Sequence, residues 1–169
     1  MRGYARLKFR ELEKGDGGSE GNNQDLNMNF DRDRDIEPGK SAVCHVTGLP
    51  ILRKPEWTDV NFDPDADYKA TFSVIGDSIV FVPASGYTEL RGVKNALEFQ
   101  RKFEVEAFNG EHPYVQINEW SDLRGATFAA RKYYIEYMKQ NKQLLGMIFY
   151  GVSALFKVSI KLAMRLNAV

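Results

Sequence analysis

The chain has 169 residues, which suits one domain of ordinary size with additional segments, and 43% of them are hydrophobic, as in a globular protein. Its 23 basic and 23 acidic residues cancel, which excludes a whole-chain electrostatic argument for binding nucleic acid or acidic lipid. A single cysteine, Cys44, excludes an intramolecular disulfide and indicates a reducing compartment, so we expect a cytoplasmic protein.

Residues 1–67 differ in composition from the rest of the chain, because they are rich in Gly, Asn, Asp, Arg and Pro. They predict an irregular N-terminal arm with a flexible linker at Gly15–Gln24, and we expect part of this arm to be disordered. The stretch Ala42–Trp57 is more apolar but contains Pro50 and Pro55. We therefore expect it to pack as an extended arm rather than as a helix.

A regular pattern begins at Tyr68 and predicts an α/β domain over residues 68–169. It opens with two β-rich runs, KATFSVI and SIVFVPA, which are separated by Gly76 and Asp77. A two-residue Gly-Asp loop predicts a hairpin, because glycine adopts the positive φ that a type II′ turn requires. Pro83 lacks a backbone N–H, so we expect it to limit the pairing of the second strand near its end.

The first predicted helix follows this hairpin. Thr88 is its expected N-cap, and Asn109 with Gly110 provides the stop. Apolar residues recur at helical spacing between these ends, namely Val93, Ala96, Leu97, Phe99, Phe103 and Ala107. This periodicity predicts a long helix with one buried face.

A short strand and a second helix come next. PYVQINEW is the strand, and the helix over residues 127–141 places Phe128, Ile135 and Met138 on one face.

The last predicted strand and helix complete the order ββαβαβα. LLGMIFYG is nearly uncharged and predicts a central strand that is covered on both faces. A third helix is expected to begin near Ser153 or Ala154 and to run toward Asn167. Strands that alternate with helices imply a sheet that is parallel over much of its width.

This order resembles the STAS domain, and more closely its SpoIIAA-like branch, the STAS and SEC14-related proteins. The resemblance lies in three segments: FSVIGDSIVFVPASGYTE, YVQINEWSDLRGATFAARK and GMIFYGVSALFKVSIKLAMRL, within residues 69–169. It implies a STAS-like α/β sheet with helices packed on it. It also implies a regulatory module of bacterial signal transduction, because similar modules precede sensor regions in some histidine kinases.

Two features depart from the pattern of that family. Phosphorylatable members carry an Asp-Ser-Ser-Gly-like signature after the third strand, whereas this chain has SDLRGATF. We therefore expect Thr127 to cap the N–H of Ala130 rather than to accept a phosphate. The family fold also continues with another strand and helix, so the resemblance implies either a domain truncated at Val169 or a sheet edge that another segment fills. Cys44–Leu52, from the same chain or a partner, is a candidate to cover that edge.

The sequence contains no motif that indicates catalysis or metal binding. Structural zinc needs four cysteine or histidine ligands, and the chain offers Cys44, His45 and His112. The acidic runs DRDRD and NFDPDAD lack the glycine and the glutamate that an EF-hand loop requires. We therefore expect no metal, no cofactor, no catalytic residue and no enzyme activity.

The third predicted helix combines a cationic stripe with a wide apolar arc. Its cations fall at every fourth residue, at Lys157, Lys161 and Arg165. The arc includes Leu155, Phe156, Ile160 and Met164. Four interpretations stay open: burial beneath a missing C-terminal part, a self-association surface that gives a homodimer, the wall of a pocket for an apolar, lipid-like ligand, or a helix on a membrane surface, for which three cations make a weak basic face.

The polar turn before the second helix, together with the second helix itself, forms the expected partner-binding surface. It comprises Ser121, Asp122, Arg124, Thr127, Arg131 and Tyr134. The resemblance to STAS domains implies a non-enzymatic regulatory module that acts through protein–protein contacts, and tyrosine is common at such interfaces. A kinase domain on the same polypeptide is the candidate partner. Binding of a small apolar ligand is the alternative, and neither nucleic acid nor a membrane span is expected.

Overall fold

A computed structural model of the protein describes residues 42–152. The strands are β1 (Ala42–Val43), β2 (Pro50–Leu52), β3 (Val60–Asp63), β4 (Tyr68–Ala70), β5 (Ser73–Ile75), β6 (Ile79–Thr88), β7 (Tyr114–Ala126) and β8 (Leu144–Tyr150). The helices are α1 (Leu90–Phe108) and α2 (Phe128–Gln140), and a 3-10 turn covers Pro55–Trp57. The predicted third helix lies outside the described residues, and so do Leu155, Phe156, Ile160 and Met164.

All eight strands belong to one mixed sheet that is organised around the long strand β6. On one side, β5 pairs antiparallel with the first part of β6 and β4 with its later part. On the other side, β7 runs parallel to β6, and β8 runs parallel to β7. The parallel pairs arise because α1 and α2 each return the chain to the starting end of the sheet. The predicted α/β class is therefore confirmed.

The predicted hairpin exists, but its loop is one residue longer than expected. Gly76 opens the loop at φ +67, while Ile75 pairs with Ile79 across it, so three residues form the connection. Pro83 does not end β6, which continues to Thr88. The missing N–H of Pro83 is tolerated because the ladder with β7 shifts register just beyond it.

The described part of the N-terminal arm, residues 42–67, belongs to the same sheet as the later strands, whereas the predicted linker at Gly15–Gln24 lies outside the described residues. β2 pairs with β5, and β3 pairs with β4, so the arm extends the sheet on the side away from β8 rather than covering the edge at β8. The 3-10 turn places Trp57 in the core at 1% exposure, where its ring meets that of Phe103 edge-on at 4.8 Å. The indole N–H of Trp57 donates to the carboxylate of Glu106 at 3.1 Å. This hydrogen bond satisfies a polar group that burial would otherwise leave without a partner.

The first helix follows its predicted face closely. Val93, Ala96, Leu97 and Phe103 are buried, and Asn109 ends the helix in the left-handed conformation at φ 53. The N-cap is Glu89 rather than Thr88, because Thr88 is still the last residue of β6.

The second helix has its predicted bounds, but one residue of its predicted face is misplaced. Ala130 and Met138 are buried, whereas Phe128 is 67% exposed. Phe128 precedes Ala130 by two residues, which rotates it by about 200° to the opposite side of the helix.

The last described strand also differs from expectation. Among the described strands β8 pairs only with β7, and its Leu145 and Ile148 are exposed. An uncharged run indicates β structure, but it does not distinguish a central strand from one beside a single neighbour.

Candidate functional site

The polar turn predicted from the sequence is the far end of β7, which is longer than expected. Thr127 is the N-cap of α2: its backbone N–H donates to Thr88 at 3.1 Å, and its side-chain oxygen accepts from the N–H of Ala130 at 3.2 Å. The predicted helix cap is thus confirmed. The hydroxyl of Thr127 is engaged where the helix begins, which fixes the direction in which α2 leaves the sheet.

The predicted polar residues of this turn reach the surface. Ser121, Asp122 and Arg124 are exposed, and Arg131 is half-buried. Arg124 forms an ion pair with Asp67 at 3.7 Å in which both side chains are about two-thirds exposed. Such a pair contributes little to stability, so the guanidinium remains available to a binding partner.

Two aromatic side chains that the sequence argument did not select lie at the same end of the sheet. Tyr87 stands opposite Gly125 in the β6–β7 register and is partly exposed. Phe128, at the start of α2, has a largely exposed ring. Gly125, at φ 153, lets the strand pass beside the Tyr87 ring, because an added Cβ would meet that ring at 3.3 Å. We call Tyr87, Ser121, Asp122, Arg124 and Phe128 the strand-end surface.

Tyr134, a predicted residue of the partner-binding surface, faces the interior instead. Its hydroxyl lies 3.5 Å from the side-chain oxygen of Asn118 and 3.7 Å from the sulfur of Met147. Desolvation in this position raises the pKa of Tyr134 well above its ordinary value. A partner that docks on α2 from outside therefore does not meet the hydroxyl of Tyr134.

A small cavity of about 20 Å³ lies where the sheet faces α1 and α2. Its described lining residues are Tyr68, Ala70, Phe72, Val82, Ala84, Val93, Ala96, Leu97, Gln100, Gln116, Asn118, Trp120 and Tyr134. Three of them are only half-buried, and all three are aromatic: Tyr68, Trp120 and Tyr134. None of the described lining residues is charged, so the cavity has an aromatic rim and a mostly apolar wall.

A ladder of buried side-chain amides runs from α1 into this cavity. The side-chain nitrogen of Gln100 donates to Glu104 and to the carbonyl of Gln116, both at 3.0 Å. The nitrogen of Gln116 in turn donates to the carbonyl of Asn118 at 2.9 Å. We call the three amides Gln100, Gln116 and Asn118, together with the carboxylate of Glu104, the amide ladder. Its last member, Asn118, is 1% exposed, and its side-chain nitrogen has no hydrogen-bond partner among the described residues.

The carboxylate of Glu104 anchors the outer end of the ladder. It also accepts from the hydroxyl of Tyr114 at 2.5 Å and from the side-chain nitrogen of Asn141 at 2.9 Å. Burial, followed by the negative charge of Glu104, raises the pKa of Tyr114 far above its ordinary value. At the cavity, desolvation raises the pKa of Tyr68 to about 12. The interior therefore favours neutral hydroxyls.

The acidic residues between β3 and β4 form ion pairs with an arginine of α1. Arg91 pairs with both Asp63 and Asp65, and Asp63 is buried. Within residues 42–152, no group of three or more His, Cys, Asp or Glu side chains is arranged to hold a metal ion. The helices described in the structure are also too short or too polar to cross a membrane.

Comparison with known proteins identifies no relative. No family model matches the chain, and no curated protein or solved structure matches it. The resemblance to STAS domains therefore stays a prediction from the sequence.

The sequence did contain a signal for the amide ladder. Tyr114, Gln116, Asn118 and Trp120 alternate along one strand, and alternation places them on one face. Two amides between two aromatic residues on a buried face predict a satisfied polar network, because an isolated buried amide is costly. The partner residues on α1 could not be found in this way, since helical and strand spacing do not reveal which faces meet.

Proposed function

We propose that this protein is a non-enzymatic regulatory module with a STAS-like fold, and that it acts in the cytoplasm through protein–protein contacts in signal transduction. The observation that carries the proposal is the exposure of Phe128, at 67%, within the strand-end surface. The proposed partner is a histidine kinase segment, on the same polypeptide or on another.

The composition of the strand-end surface supports this proposal. Interfaces owe most of their binding free energy to a few aromatic and arginine side chains, and this surface combines Tyr87, Phe128 and Arg124. It lies at the carboxyl ends of β6 and β7, where open α/β sheets present their ligand sites. A large exposed aromatic side chain there is costly in water, so a partner that covers Phe128 gains hydrophobic free energy.

A titration of the chain with a purified histidine kinase segment, followed by calorimetry, tests the proposal. We expect Phe128→Ser and Arg124→Glu each to weaken binding by about tenfold or more, because both remove central contacts. Leu145→Ser is the matched control, because Leu145 is exposed to a similar degree on β8, outside the strand-end surface. Equal affinities for all four proteins, or no binding by the parent, would contradict the proposal.

A second function, binding of a small apolar molecule, is favoured by the cavity. Its wall is mostly apolar, and its half-buried residues are aromatic side chains that can rotate to admit a larger group. Native mass spectrometry of freshly purified protein tests this function. A small molecule that co-purifies with the chain supports it, and a bare chain mass argues against it.

A further inference from the structure

The donor-to-acceptor direction of the hydrogen bonds along the amide ladder is set at one end by the carboxylate of Glu104. An ionised carboxylate can only accept hydrogen bonds, so Glu104 requires its neighbours Gln100, Tyr114 and Asn141 to act as donors. Gln100 therefore presents its NH₂ group to this junction rather than its carbonyl. The same NH₂ group is the one that donates to Gln116.

The donor group of Gln100 in turn fixes the orientation of the next two amides, Gln116 and Asn118. Because Gln116 accepts on its oxygen, its NH₂ group is turned toward Asn118. Asn118 must then offer its oxygen to Gln116, and Tyr134 also lies near that oxygen. Rotating the Asn118 amide by half a turn would set two NH₂ groups against each other. This orientation leaves the nitrogen of Asn118, a residue that lines the cavity, as a buried donor without a partner among the described residues.

We propose that the cavity is a binding site for a neutral hydrogen-bond-accepting oxygen, which the side-chain nitrogen of Asn118 holds. The oxygen belongs either to one buried water molecule or to the carbonyl or hydroxyl group of a small apolar ligand. If the oxygen belongs to a ligand, the inference deepens the second candidate function and rests on it. If the oxygen belongs to water, the inference does not depend on that function.

Size and charge define this chemical class. The volume of about 20 Å³ holds one water-sized group. A buried donor without a partner is unfavourable, so an acceptor at this point stabilises the folded protein. A carboxylate is disfavoured because no described lining residue carries a positive charge to offset its burial. A cation is disfavoured because Asn118 offers hydrogens rather than lone pairs there.

Nuclear magnetic resonance of the ¹⁵N-labelled full chain tests the proposal, with native mass spectrometry of the same sample. We expect the side-chain NH₂ protons of Asn118 to show cross-relaxation with a long-lived water, or with the protons of a co-purified ligand. A water contact with a bare chain mass supports the site while the second candidate function fails. Absence of both contacts in the folded parent would overturn the proposal.

The ladder itself is tested by Glu104→Gln, which replaces an obligate acceptor with a group that can also donate. We expect the contact from the Asn118 NH₂ group to weaken or to split into two sets of signals, because the ladder can then reverse. Glu98→Gln is the control, because Glu98 is exposed on the same helix and pairs with Lys102. An unchanged Asn118 contact in Glu104→Gln would show that the carboxylate does not set the direction. The measurement on the parent remains decisive if the variant fails to fold.

Discussion

The two helices pack against the same sheet but are held very differently. Seven of the 19 residues of α1 are buried, the first being Gly92 and the last Phe108, and the helix ends in a left-handed cap at Asn109. α2 buries two residues along 13, Ala130 and Met138, and owes its start to the side chain of Thr127. Because most helical stability comes from tertiary packing, α1 is the frame of the domain and α2 is its more weakly attached element.

This difference matters because α2 carries the residues of functional interest. Phe128 lies on its outer side, within the strand-end surface, and Tyr134 lies on its inner side, at the rim of the cavity. A weakly attached helix with one residue in each place can couple them. We therefore expect core truncations in α1 to cost more stability than those in α2, and changes at Phe128 to affect binding.

The largest expected effect is on α1, for Phe103→Ala. Phe103 is 1% exposed and packs against Trp57, Phe72 and Phe108. We expect a loss of about 3–5 kcal/mol in the free energy of unfolding, measured by urea denaturation, because the substitution leaves a cavity. Val105→Ala, at an exposed position of the same helix, is the control and should stay within about 0.5 kcal/mol of the parent.

The corresponding change in α2, Met138→Ala, should cost less. Met138 is buried in the core, but Ala130 is the other buried residue of α2, so this helix can shift toward the core and reduce the cavity. We expect about 2 kcal/mol, the lower end of the range for such truncations. A loss for Met138→Ala that equals or exceeds that of Phe103→Ala would remove the distinction between the helices.

Loss of the helix cap should be smaller again. Thr127→Ala removes the oxygen that accepts from Ala130, and we expect a loss of about 1 kcal/mol. Thr127→Ser keeps the oxygen and should restore most of the stability. If the two variants lose the same amount, the cap does not hold the start of α2.

The last prediction concerns alkaline pH, at which the buried tyrosines lose their protons. The pKa of Tyr68 is about 12 in the folded protein and near 10 when unfolded, so its contribution is complete below pH 10 and is lost as pH rises through 12. The free energy of unfolding should therefore fall with alkaline pH. Tyr134→Phe should make that fall shallower, since the pKa of Tyr134 is raised as well. A slope identical to the parent would place the Tyr134 hydroxyl in water.

Sequence patterns anticipated the features that depend on local spacing. The buried face of α1 follows from apolar residues at period 3.6, and the cap at Thr127 follows from a hydroxyl before a helical run. Features that depend on distant contacts were not anticipated. Trp57 enters the core only because β2 and β3 join the sheet, and β7 continues past Trp120 only because β6 continues beside it.

Hydrogen exchange of the backbone amides in the free full chain tests the contrast between the helices most directly. We expect amides in the middle of α2 to exchange roughly tenfold or more faster than buried-face amides of α1, through openings that leave α1 intact. Equal protection in both helices, with exchange only through global unfolding, would contradict the claim that α2 is the weakly attached element.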